Sequence, residues 1–211
     1  MPAETVYQVV QVVYWLALST WFGGALFIAM AAPVVLRTVG AMNPVLPEVL
    51  SVNLEGQHGT LLAGSIVGDL IARLAQVQVV CAAALLVAMI GQWFVIDTTH
   101  AADLLRSNRV AAALRLVLLL AAAAVVLYDW RVLWPRIHAA RQQYLDHADE
   151  PEVANAAKDQ FDHEHRRSVT LLAVVVGLLL GVIVFSANIT PARGGGGGGA
   201  GAANEPPAAL R

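Results

Sequence analysis

One apolar stretch of this chain is interrupted by a charged side chain, and the presence of a charge among apolar residues needs an explanation. Arg115 interrupts the run from Val110 to Tyr128, which is otherwise uncharged. A charge inside a lipid bilayer is costly unless it finds a partner, so such a residue marks a functional contact or an interfacial position. Arg115 could contact an anion or substrate from within a helix bundle. The favoured interpretation is that its long side chain extends to the headgroups, because it lies only about 9 Å along a helix from Arg109.

A second intramembrane polar residue, Asp129, lies near the opposite end of the same stretch, close to Arg131. A carboxylate at this position could relay protons through a membrane protein. An ordinary interfacial charge explains it equally well and is the more frequent case. The sequence therefore favours the second interpretation.

Metal ligation is a third chemistry that the residue types allow. Asp159, His163 and His165 lie in a short charged segment, and Asp159 and His163 are one helical turn apart. Such side chains can bind a divalent cation, although a charged helix end beside a membrane is the favoured interpretation. All six histidines fall outside the apolar runs or at their ends, which argues against haem held between membrane helices. The sequence predicts no cofactor.

Catalytic motifs give no further candidate. The chain contains no phosphate-binding glycine loop, no nucleophile elbow and no H-E-x-x-H pattern. No residue is therefore predicted to be catalytic, and we expect a protein that is not an enzyme.

The elements that position these residues are four long apolar runs. Charge-free stretches of 32, 23 and 25 residues begin after Glu4, Arg73 and Arg167, and the run containing Arg115 adds 19 residues. About 20 apolar residues suffice to cross a hydrocarbon core as a helix. We therefore predict an all-α polytopic integral membrane protein, a bundle of four transmembrane helices spanning about 5–32, 74–96, 109–134 and 168–188.

The connecting segments differ in character. Residues 61–74 show helical spacing, which predicts a short interfacial helix before the second span or an extension of that span. The polar segment 142–167 is predicted to prolong the third and fourth spans as a hairpin. Residues 1–190 then form the membrane domain, and the Gly- and Pro-rich residues 191–211 form a disordered tail.

Composition supports this class of protein. Hydrophobic residues make up 58% of the chain and charged residues 13%, which leaves too little polar surface for a soluble domain. The net charge of −2 gives no electrostatic reason to expect nucleic-acid binding. The lipid bilayer is the expected partner, and a homo-oligomer or another membrane protein is a further alternative.

The spans also contain residues that predict how the helices end and how they pack. Pro33 cannot donate a backbone hydrogen bond, so the first helix is expected to end or bend there. Tyr14, near the start of that helix, is expected to favour the headgroup level. The glutamines at the ends of the first two spans are expected to form hydrogen bonds between helices, and Gly177 and Gly181 indicate close helix packing.

Orientation follows from the distribution of cations on the connecting segments. Eight Lys and Arg residues fall on the side of the long loops, and four fall on the other side. Because cytoplasmic segments carry an excess of cations, the long loops are predicted inside the cytoplasm and both termini outside it. The expected location is the bacterial inner membrane.

Several short motifs together resemble a bacterial membrane domain of unknown function that is related to eukaryotic transmembrane protein 205. They include Trp21, Gly23-Gly24 and Pro33 in the first span, and His165 and Ser168 at the start of the fourth. A more distant similarity is to the copper-resistance-D type of membrane domain. The resemblance implies a four-helix membrane protein in which these residues have structural roles, and it implies no defined activity.

The leading functional hypothesis is a non-enzymatic structural or accessory component of the membrane. Two alternatives stay open: a transporter or exporter of a small ion or molecule, and a protein that handles a metal such as copper.

Overall fold

Long apolar runs fold here into long helices, as expected where lipid offers no partner for the backbone. The computed structural model describes residues 3–42, 44, 56–96 and 109–187, and the predicted tail 191–211 lies outside them. The elements in chain order are α1 (Ala3–Met42), α2 (His58–Ile96), α3 (Arg109–Tyr128), a π-helical segment (Asp129–Leu133), α4 (Trp134–Asp146) and α5 (Pro151–Ala187).

Four helical stretches are long and apolar enough to cross a membrane. They are Thr5–Met42, His58–Gln92, Val110–Asp146 and Pro151–Ala187, within the described part of the chain. The predicted all-helical fold with four helices of spanning length is therefore confirmed. These stretches are 35 to 38 residues long, so each exceeds the roughly 20 residues that a bilayer requires. The extra length extends the bundle beyond the apolar segments.

Helix α1 continues through Pro33 to Met42, which excludes the first of the two predicted alternatives, an end at this proline. Proline removes one backbone hydrogen bond from a helix interior. Packing of the last turns of α1 against the start of α2 offsets this loss. Gly59 is buried there, and a Cβ added to it would lie 3.0 Å from the Gly40 Cα and 3.2 Å from the Val39 carbonyl oxygen. The two backbones approach so closely because Gly59 has no side chain.

Helix α2 is continuous from His58 to Ile96. Of the two predicted alternatives for residues 61–74, the extension of the second span is the one observed, and a separate interfacial helix is not. The segment continues as helix because its apolar face packs on α1, where Ala63 is fully buried and Val67 nearly so.

The third and fifth helices are joined by a hairpin, as predicted. Helix α3 continues through the π-helical segment, where the Trp134 amide donates to the Asp129 carbonyl oxygen, and then through α4. A turn at residues 147–149 reverses the chain into α5, which α4 contacts along its length. The π-helical segment is a wider turn within a helical stretch that is otherwise continuous from Arg109 to Asp146.

The core lies along the axis of the four long helices. Its largest fully buried side chains include Trp21, Tyr14, Leu85, Leu119 and Leu179. Gly181 allows α5 to approach α3, since a Cβ added to it would lie 2.9 Å from Leu118 Cδ1, whereas Gly177 has open space beside it. Only the second glycine of this predicted packing pair therefore faces a neighbouring helix closely.

The outer surface of the bundle is apolar. Large hydrophobic side chains stand exposed on every spanning helix, among them Phe27, Val80, Val87, Val117 and Leu180. A soluble monomer rarely exposes contiguous apolar surface on this scale.

Candidate functional site

The fold brings four helix ends together at one end of the bundle. The start of α1, the end of α2, the start of α3 and the end of α5 meet there, because successive long helices run in opposite directions. Each of these ends contributes a polar side chain to a buried group, which we call the Arg115 cluster. Its members are Gln11, Tyr14, Gln92, Arg115 and Ser186.

Arg115 is the only charged member of this cluster, and it is almost completely buried, with 4% of its surface exposed. Its Nη2 donates a hydrogen bond of 3.0 Å to Gln92 Oε1. Its guanidinium carbon lies 5.2 Å from the centroid of the Tyr14 ring, a distance at which cation–π attraction operates. Its Nε is buried and has no hydrogen-bond partner.

The structure favours the alternative interpretation of Arg115, a side chain directed into the bundle, and the depth of its guanidinium relative to the headgroups stays a prediction. The side chain lies among the helices and contacts Gln92 and Tyr14, so it faces the bundle. The polar partners that the neighbouring helix ends supply replace water or headgroups around the charge. A position along one helix gives depth but not direction, so the sequence alone could not reveal these partners.

Gln92 links three helices. Its Nε2 donates to Gln11 Oε1 of α1 over 2.8 Å, while its Oε1 accepts from Arg115 of α3. The predicted role of these glutamines, hydrogen bonding between helices, is confirmed for this pair. The amide is well suited to the position, because it can donate to one partner and accept from another at once.

Tyr14 completes the cluster by joining α1 to α5. Its hydroxyl lies 2.6 Å from Ser186 Oγ, and the Ser186 hydroxyl itself donates to the Val182 carbonyl oxygen. Since a serine hydroxyl has one hydrogen, Tyr14 is the donor in the contact between the two residues. Tyr14 is fully buried among the helices, and its predicted position at the headgroup level stays a prediction. Ser186 carried no signal in the sequence that would have singled it out.

Asp129 lies at the other end of α3, far from this cluster in the chain. It is half-buried, its Oδ1 has no hydrogen-bond partner, and its side chain interacts with Ser168 of α5. Ser168, one of the residues that carry the family resemblance, thus lies beside Asp129. The pair marks the junction between α3 and the π-helical segment.

The candidate metal ligands do not form a cluster in the described residues. Asp159, His163 and His165 are exposed on α5, and His165 stacks on Phe161 with ring centroids 5.6 Å apart. Within residues 3–42, 44, 56–96 and 109–187, no group of three or more His, Cys, Asp or Glu side chains is placed to hold a metal ion.

The remaining family-like residues lie in α1. Trp21 is fully buried and its Nε1 has no hydrogen-bond partner. Gly24 faces α2, since a Cβ added to it would lie 2.9 Å from Leu74 Cδ1, whereas Gly23 has open space and Pro33 is exposed. Trp21 and Gly24 therefore contribute to packing.

A second set of polar side chains links the helices at the opposite end of the bundle. Arg141 Nη2 of α4 donates to the Leu61 carbonyl oxygen at 2.9 Å and to the Ser65 hydroxyl on α2. Tyr144 donates to Gln57 Oε1 over 2.9 Å. From the sequence, Arg141 counts only as one of the cations on the side of the long loops. Spacing along one segment does not reveal a partner that lies on another element.

Chemically, the Arg115 cluster can do two things. Its hydrogen bonds tie four helices together, and its uncompensated positive charge can attract an anion. Among the described residues no carboxylate forms an ion pair with Arg115. The cluster contains no base placed to activate a nucleophile, since the tyrosine hydroxyl is already committed to Ser186.

Comparison with protein-family models, curated proteins and solved structures finds no match for this chain.

Proposed function

We propose that this chain is a non-enzymatic integral protein of the bacterial inner membrane that serves as a structural or accessory component. The observation that carries the proposal is the use made of its buried polar groups. Gln11, Gln92, Arg115, Tyr14 and Ser186 contact one another across helices. Groups that would bind a substrate in an enzyme or a wide channel here hold the bundle in one arrangement.

The membrane location is supported by the apolar outer surface and the four helices of spanning length. The proposed orientation places the α4–α5 hairpin in the cytoplasm and both termini outside it. Six of the eight cations assigned to the cytoplasmic side lie between Arg131 and Arg167, on the π-helical segment, α4 and the first half of α5.

Membership of the family related to transmembrane protein 205 is part of the proposal. It rests on the sequence motifs around Trp21, Gly23-Gly24, Pro33, His165 and Ser168. The buried positions of Trp21 and Gly24 are consistent with the structural roles that the resemblance implies.

Native gel electrophoresis of gently solubilised membranes tests the accessory role. A tagged chain expressed at its natural level is expected to migrate in an assembly larger than the purified protein in the same detergent. Migration identical to that of the purified protein would contradict the proposal.

A second candidate function, transport of a small anion, is favoured by one observation. The Nε of Arg115 is buried without a partner, and an intramembrane charge of this kind often marks an ion pathway. Four helices enclose little space, so a pathway would require association of at least two copies. Metal handling has no comparable support among the described side chains.

Flux into proteoliposomes separates the two candidates. Wild-type protein, Arg115→Leu and the matched surface variant Arg136→Leu are reconstituted, and uptake of chloride or another small anion is followed. The accessory proposal expects all three to equal protein-free vesicles. Uptake by wild type and Arg136→Leu that is lost in Arg115→Leu would replace it with the transport function.

A further inference from the structure

A cavity of about 660 Å³ opens between the start of the apolar half of α5 and the end of α3, away from the Arg115 cluster. This volume falls in the range of about 300–1,000 Å³ that small-molecule pockets occupy. The lining is contributed by the two helices and the π-helical segment. It consists of Tyr128, Leu133, His163, Arg166, Arg167, Thr170 and Leu171.

The cavity changes character along α5. His163, Arg166 and Arg167 form a basic rim on the side of the hairpin, and Leu171, one turn further along α5, forms an apolar base. The rim lies where the charged part of α5 ends, because no charged residue occurs between Arg167 and Arg193. From His163 to Leu171 the helix rises about 12 Å, enough to pass from the headgroup layer into the acyl region.

The cations of the rim retain most of their hydrogen-bonding capacity. Arg167 Nη1 lies 3.5 Å from Glu164 Oε2, and Arg166 Nε lies 3.4 Å from the Asp162 carbonyl oxygen. Both contacts are at the limit of a hydrogen bond, and each guanidinium has five N–H donors. Glu164 offsets one of the two positive charges, and Asp129, on the same side of the bundle, interacts with Ser168 and does not line the cavity.

We propose that this cavity binds the headgroup phosphate of an anionic phospholipid. The two guanidinium groups bind the phosphate oxygens, and the apolar base receives the first methylenes of an acyl chain. A basic pocket at a membrane-facing helix junction fits this ligand, since charge-assisted contacts to phosphate are the strongest that arginine makes. The π-helical segment contributes Leu133 to the lining of this site.

The test measures lipid preference with purified protein in detergent. Wild type, Arg166→Gln/Arg167→Gln and the control Arg136→Gln/Lys158→Gln are each titrated with phosphatidylglycerol or phosphatidylcholine. Bound lipid is counted by native mass spectrometry. The control pair removes the same charge from exposed positions of α4 and α5 that do not line the cavity.

Wild type and the control are expected to bind phosphatidylglycerol at least about tenfold more tightly than phosphatidylcholine, and the pocket variant is expected to lose that preference. An equal loss in the control would show a diffuse charge effect and overturn the proposal. So would the absence of a preference in wild type.

Three further measurements keep the result interpretable. Circular dichroism establishes that the pocket variant is folded, and Arg166→Lys/Arg167→Lys, which keeps both charges but loses the planar fork, is expected to retain part of the preference. Titration with inorganic phosphate distinguishes the source of the phosphate. If millimolar phosphate stabilises the protein against thermal unfolding, followed by circular dichroism, as much as the lipid does, the lipid is overturned as ligand in favour of the free anion.

Discussion

Replacing Gln92 by leucine isolates the charge of Arg115 inside the bundle while keeping a side chain of similar size. Gln92→Leu removes the acceptor of the 3.0 Å hydrogen bond from Arg115 and the donor of the 2.8 Å hydrogen bond to Gln11. A hydrogen bond to a charged group contributes about 1.5–3 kcal/mol, and one between helices in a membrane about 0.6 kcal/mol. The expected destabilisation is therefore about 2–3 kcal/mol.

Removing the charge of Arg115 as well is expected not to add to the destabilisation caused by Gln92→Leu. Arg115→Leu alone leaves Gln92 Oε1 without its donor and removes the cation–π contact with Tyr14, but it also relieves the desolvation cost of a buried charge, so the net cost is about 1–2 kcal/mol. In Gln92→Leu/Arg115→Leu no stranded charge remains. The double variant is therefore expected to lose about 2 kcal/mol, rather than the roughly 4 kcal/mol that additive losses would give.

The assay is reversible unfolding in mixed micelles, in which the fraction of denaturing detergent is raised and helicity is followed by circular dichroism. Gln76→Leu on the same helix is the matched control, because Gln76 is exposed. Its effect is expected to stay within about 0.5 kcal/mol. Additive losses in the double variant, or a Gln92→Leu effect no larger than the control, would refute the proposed role of Gln92 as partner to the buried charge.

Three other outcomes are expected. Tyr14→Phe, which removes the donor to Ser186, should lower the free energy of unfolding by about 1 kcal/mol in the same assay, and an unchanged value would mean that the hydrogen bond contributes nothing. Gly181→Leu should destabilise by about 1–3 kcal/mol, because its side chain would meet Leu118, whereas Gly177→Leu should have a much smaller effect; equal effects would contradict the observed helix contact. Treatment with a strong chelator should leave the thermal midpoint unchanged, because no metal-binding group is formed among the described residues, and a fall that added zinc or copper reverses would contradict this.

Much of the fold could be predicted because a bilayer imposes strong constraints on composition. The apolar run after Arg167 has the length of a spanning helix, and the structure places its residues 168–187 within α5. The end of α1 could not be predicted in the same way. The effect of Pro33 depends on whether a neighbouring helix supports the turns beyond it, and the close approach at Gly59 is a contact between distant segments.

The candidate site was predicted only in part, for a related reason. A polar residue in an apolar run is conspicuous whichever way it points, so the sequence identifies Arg115, and it includes Gln92 only among the glutamines near the ends of the first two spans. Their partners depend on the rotation of each helix about its axis, which hydrophobic periodicity does not specify in a run that is apolar on all sides. Tyr14 and Ser186 have ordinary sequence surroundings, and only their proximity in the folded chain joins them to the cluster.

Water accessibility of an outward-facing residue tests the central claim, that the apolar surface lies in lipid. In a Cys81→Ala background, a single cysteine is introduced at Val87, which is 69% exposed in the structure, or at Asn155 on the polar half of α5, which is also exposed. Membrane vesicles opened to expose both faces are treated with a membrane-impermeant maleimide. The account predicts rapid labelling of Asn155→Cys and protection of Val87→Cys until detergent is added and the protein is unfolded. Equally rapid labelling at Val87→Cys in the intact bilayer would contradict it.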